Sequence, residues 1–156
     1  MLDSDLKQRH LLGELRSVGQ YTLRMVCLCF ILMTLGSTVR ATDSGLACPD
    51  WPMCFGKLIP AMDMQIFLEW FHRLVAFSLG IFLLGMGWKI LRSAYLRKTF
   101  VNEICCTIVL FFIQCVLGGL TVLKLLKPSI VSSHLLIALI FLACFFGFGD
   151  APKVLS

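Results

Sequence analysis

The chain has 156 residues, 58% of them hydrophobic and 15% charged, with a formal net charge of +5. A mean hydropathy of +0.88 excludes an ordinary soluble domain. The positive charge gathers at the ends of apolar blocks, so it reads as a membrane-topology signal and is no argument for nucleic-acid binding.

Residues 1–20 form a polar N-terminal segment, followed by four apolar blocks at roughly Tyr21–Val39, Ile66–Leu91, Ile104–Leu123 and Ile130–Phe148. Each reaches or approaches the ~20 residues that cross a ~30 Å hydrocarbon core. Backbone groups find no water there, and the period-2 alternation of a barrel strand is absent, so helices are expected. The predicted fold is all-α: an integral membrane four-helix bundle over residues 21–149, with a short tail at 150–156. The first block follows a polar stretch and leads to no small-residue cleavage site, unlike a signal peptide. Asp3, Asp5 and Glu14 interrupt the basic residues of the N-terminus, unlike a transit peptide. The expected location is a bacterial inner (plasma) membrane, crossed several times.

Lys7, Arg9, Arg16 and Arg24 precede or open the first block, and Lys89, Arg92, Arg97 and Lys98 surround the short turn between the second and third. The other two connections carry only Arg40 and Lys57, then Lys124 and Lys127. Eight cations against four predict an N-in/C-in orientation.

The connection at 40–65 holds Pro49, Pro52, Pro60, Gly45 and Gly56, a composition of turns. Trp51 and Phe55 give it apolar faces suited to the membrane interface. It is expected to form an ordered cap over the mouth of the bundle. Of the eight cysteines, six fall within helices, where a thiol behaves as a small apolar group. Cys48 and Cys54 fall in the cap, on the oxidising side of a bacterial membrane, where a disulfide can form.

Two of the three histidines, His72 and His134, lie inside membrane-length blocks near the same face. An ionisable group at that depth is expensive and marks a functional site. Imidazole is a standard axial ligand of haem iron, and a bundle can hold a cofactor between facing helices. Glu69 and His72 stand one turn apart on one helical face, and Arg73 can pair with Glu69 at i+4. On this reading His72 and His134 ligate iron and Glu69 lies at the cofactor edge. Arg73 or Arg40 neutralises the propionates. The alternative at Glu69 is a self-satisfied pair with Arg73. Gln114 is either interhelical glue or a site residue, and Gly36, Gly118 and Gly119 allow close approach of helices or of a flat macrocycle.

A weak internal repeat supports the pairing. Gly36-Ser37-Thr38-Val39 is echoed by Gly119-Leu120-Thr121-Val122, and His72-Arg73-Leu74-Val75-Ala76 by His134-Leu135-Leu136-Ile137-Ala138. The bundle thus reads as two pseudo-repeated helical hairpins, each with its second helix opening near a histidine.

The run from Gly36 to Cys54, with its Cys48-Pro49-Asp50-Trp51-Pro52-Met53-Cys54 core, resembles the signature of the haem A synthase family of cytochrome oxidase assembly. So do Glu69-Trp70-Phe71-His72-Arg73, the stretch from Gln114 to Val122 and His134, a resemblance extending over about Gly36 to Ala138. It implies a water-dependent oxidoreductase that converts the C8 methyl of haem O to a formyl group, giving haem A for cytochrome c oxidase. It implies a disulfide between Cys48 and Cys54, haem iron ligation by His72 and His134, and an essential glutamate at Glu69. The cofactor would be haem b, the substrate haem O, or both. Its partners would be haem O synthase and the cytochrome c oxidase assembly system.

Common members of the family have eight helices in two homologous halves, and this chain matches the N-terminal half. A homodimer or higher homo-oligomer would restore the double bundle. The competing expectation is a haem-binding b-type cytochrome or oxidase assembly factor without synthase activity, in which a carboxylate beside the iron has no purpose. A membrane thiol oxidoreductase would carry Cys-x-x-Cys, whereas Cys48 and Cys54 have five residues between them.

Overall fold

The computed structural model describes residues 2–149, so the tail at 150–156 lies outside the described residues. Four helices make up the fold: α1 (Leu2–Ala41), α2 (Met64–Arg92), α3 (Ala94–Leu123) and α4 (Pro128–Gly149). All four are long and apolar enough to cross a membrane, which makes this a multi-pass membrane protein.

Short connections between long helices force antiparallel neighbours. α2 and α3 are joined by Ser93 alone, which closes α2 and also caps α3, its hydroxyl accepting from the Leu96 amide at 3.3 Å. Asp63 caps the start of α2 by accepting from the Ile66 amide at 2.8 Å. Packing runs around the ring α1–α2–α3–α4–α1, so α2 and α4 stand on a diagonal with their N-termini at the same, capped end.

α1 begins about nineteen residues before its apolar block, because Leu11, Leu15 and Val18 continue the inward stripe of Met25 and Cys29 at helical spacing. The Ser93 hydroxyl donates to Glu14 Oε2 at 2.8 Å and ties this extension to the α2–α3 turn. The polar N-terminal segment is therefore helically continuous with the first span.

The two ends of the bundle differ. Toward Ser93 the interior is mostly apolar, filled by Leu83, Met86, Ile90, Leu96, Phe100 and Ile104 together with Phe141, Phe145 and Phe148 of α4, with Thr22 and Thr107 among them. Phe141 and Phe145 meet edge to face at 5.2 Å, a favoured aromatic geometry. Polar and ionisable interior groups gather at the opposite end, beneath residues 42–63.

Those residues form an ordered cap. Cys48 and Cys54 are joined by a disulfide. The Asp50 carboxylate accepts from the amides of Phe55 at 2.6 Å and Gly56 at 2.7 Å, closing the turn. These bonds, the Gly56 amide first, hold its carboxyl below the usual range. Cys54 and Lys57 pair their backbones, Phe55 and Gly56 take positive φ between them, and the Trp51–Pro52 peptide is cis.

Candidate functional site

His72 is the ninth residue of α2 and His134 the seventh of α4. At 1.5 Å per residue both lie about 9–12 Å below the capped end, at matching depth on diagonal helices. The His72 ring lies against α1 and the His134 ring against α3, each on the hairpin partner of its own helix.

Each imidazole rests on a glycine of its own hairpin partner. A Cβ at Gly36 would stand 3.1 Å from His72 Cε1, and one at Gly118 would stand 3.3 Å from His134 Cε1. A side chain at either position would press on the ring unless the ring shifted by a few tenths of an ångström. The repeat is real in space but shifted by one residue from the alignment of sequence motifs: Gly36 corresponds to Gly118, because Gly119 serves a different contact.

Nδ1 of both His72 and His134 is buried without a hydrogen-bond partner among the described residues. Buried polar atoms are normally paired, so two orphaned imidazole nitrogens at matching depth are available to a ligand. A neutral imidazole with an uncommitted nitrogen has a lone pair available to a metal. The residues present therefore fit a bis-imidazole haem site.

Glu69 lies one turn toward the cap from His72 and is only 3% exposed. Its Oε2 accepts from the Cys48 amide at 2.8 Å, and its Oε1 pairs with the Arg73 guanidinium. Arg73 also donates to the carbonyls of Asp50 at 2.7 Å and Met53 at 2.5 Å, and more distantly to that of Cys48. The Glu69–Arg73 pair foreseen from the i,i+4 spacing is thus present, and it joins α2 to both sides of the disulfide loop. The Trp70 indole donates to the Leu58 carbonyl at 2.7 Å and holds the far end of the cap. Arg40 is exposed in the last turn of α1, and no described residue bonds its guanidinium.

Two contacts escaped the sequence reading. Trp51, expected to face the membrane interface, lays its ring across α3, where a Cβ at Gly119 would stand 2.9 Å from Trp51 Cδ2. Gly45 packs against Leu126 of the α3–α4 connection, 3.3 Å from the position of an added Cβ. The cap is therefore anchored on α2 and reaches over to the second hairpin. Nothing local signals these contacts; only Gly119 itself, a small residue in an apolar helix, pointed to a close approach.

The family model for cytochrome oxidase assembly proteins matches residues 19–67 and 61–149. A heme A synthase of Bacillus licheniformis is 29% identical over 124 residues, covering 78% of this chain and 40% of that protein. One from Shewanella oneidensis is 31% identical over 124 residues, covering 68% and 37%. One from Lysinibacillus sphaericus is 28% identical over 129 residues, covering 80% and 42%. The chain thus spans about two fifths of the length of the curated relatives it matches. With the family model covering most of its helices and cap, the chain belongs to the COX15-CtaA family of cytochrome oxidase assembly proteins.

Proposed function

We propose that the chain is a haem A synthase unit that binds haem O between His72 and His134 and oxidises its C8 methyl to a formyl group. The observation that carries this reading is the pair of half-buried imidazoles, each seated on a glycine and each with a buried Nδ1 that has no partner among the described residues. Family membership and the named relatives support it.

Converting a methyl to a formyl group with water as the oxygen source releases four electrons and four protons to an acceptor. His72 and His134 would hold the haem iron between α2 and α4, and the haem itself would supply the redox-active macrocycle. Glu69, one turn from His72, is assigned the catalytic part: stabilising positive charge on the carbon being oxidised, or taking a proton from attacking water. Arg73 and the Cys48 amide aim that carboxylate, and the Cys48–Cys54 disulfide holds the amide in place. Arg40 and Arg73 are the cations assigned to the propionates, Arg40 being the less committed of the two. A further haem b as resident cofactor and a second copy of the chain as partner, in a homodimer or higher homo-oligomer, belong to the same proposal; closed two-fold assembly is the commonest for identical chains.

The Lys and Arg asymmetry and the oxidised cap agree on a bacterial inner membrane, N-in/C-in, with the cap outside. Haem O synthase is the expected source of substrate, and cytochrome c oxidase assembly the destination of product. Co-expression with a haem O synthase, followed by pigment extraction and mass analysis, tests the reading. Haem A or its hydroxylated intermediate is expected; unchanged haem O with a fully loaded protein would contradict it.

A further inference from the structure

The two imidazoles are seated alike but held differently. The position four residues before the cradle glycine is Leu32 in α1 and Gln114 in α3. Leu32 has no polar side chain to offer His72. The Gln114 side chain donates from Nε2 to the His134 carbonyl at 3.0 Å, and the same nitrogen lies 3.5 Å from His134 Nε2. Gln114 Oε1 is buried with no partner, so every hydrogen bond of this amide among the described residues goes to His134.

We propose that Gln114 is a positioning residue for His134, making the two axial ligands inequivalent: His134 is held on the iron by Gln114, and His72 has no such support. The inference rests on the haem-binding reading above. This polar side chain hydrogen-bonds the backbone of His134 on the facing helix and lies beside its ring edge, which restrains the turn of α4 that carries the imidazole. Outer-shell partners of ligating histidines typically change affinity 10–100-fold, and an interhelical side-chain bond in a membrane is worth about threefold to twentyfold.

Gln114→Leu gives the second hairpin the side chain that Leu32 gives the first. The probe is carbon monoxide added to the reduced, haem-loaded full chain, because it must displace one axial imidazole to bind. Haem content should be retained and apparent carbon monoxide affinity should rise by up to about twofold, because the unsupported His72 is displaced first in the wild type and the His134-off state then becomes as easy to reach. In a His134→Ala background, Gln114→Leu should leave carbon monoxide affinity unchanged, because its target is gone. Equal affinity in wild type and Gln114→Leu would overturn the inference, as would an effect that survives in His134→Ala. Loss of haem from Gln114→Leu with retention in His134→Ala would also overturn it. A wild-type chain without six-coordinate haem would defeat the haem-binding reading itself, whereas six-coordinate haem with indistinguishable variants defeats only the role of Gln114.

Discussion

Replacing Glu69 by glutamine separates the chemical and structural uses of that carboxylate. Two donors converge on it, the Cys48 amide on Oε2 and the Arg73 guanidinium on Oε1. Glutamine offers one acceptor oxygen and one NH2 group, so in either orientation one of those donors meets another donor. The lost charge-assisted bond is worth about 1.5–3 kcal/mol. Arg73, with a side chain only 15% exposed, also loses its counter-ion, so the total destabilisation is about 2–4 kcal/mol. Arg73→Gln removes the same bridge from the other side and serves as the matched control. If Glu69 only anchors the cap, both variants lose stability and haem A formation in parallel. If its carboxylate takes part in the oxidation, Glu69→Gln loses on the order of 10²-fold or more in rate beyond Arg73→Gln. Thermal unfolding of the purified proteins gives the first quantity, and haem O conversion at equal haem loading gives the second. Parallel losses in both assays would refute the catalytic assignment.

Cys48 and Cys54 should resist alkylation until reductant is added, and replacing both by serine should cost about 2 kcal/mol for a loop closed over a separation of 6; full labelling without reductant would contradict this. Gly119→Ala should displace the Trp51 ring from α3, since the new methyl would stand 2.9 Å from Cδ2. A shift in Trp51 fluorescence, with Trp70 and Trp88 replaced by phenylalanine, reports it. Asp50 stabilises its turn through a depressed pKa. That contribution is fully present above the ordinary carboxylate range and is lost as pH falls through the folded-state value. Protection of the Phe55 and Gly56 amides, corrected for intrinsic exchange, should therefore hold at neutral pH and fall only below about pH 4; equal protection in Asp50→Asn would argue against it.

The architecture was legible because membrane-length apolar blocks leave few alternatives, and His72 and His134 stood out because ionisable groups at that depth are rare. Glu69–Arg73 was legible as an i,i+4 pair on one helix. What the pair holds was not, because the Cys48 amide and the Asp50 and Met53 carbonyls are backbone groups brought back by loop closure. The match of Gly36 with Gly118 was obscured by the neighbouring Gly119, whose contact with Trp51 depends on how the cap crosses the bundle. The helical extension of α1 was hidden by surface charges, although Leu11, Leu15 and Val18 carry the inward spacing.

The central claim is that His72 and His134 hold one haem between α2 and α4. Its most direct measurement is the visible and electron paramagnetic resonance spectrum of the purified protein beside His72→Ala and His134→Ala. The account predicts a low-spin, six-coordinate haem in the wild type and a high-spin shift or loss of haem in each variant. A low-spin spectrum unchanged in both variants would contradict it.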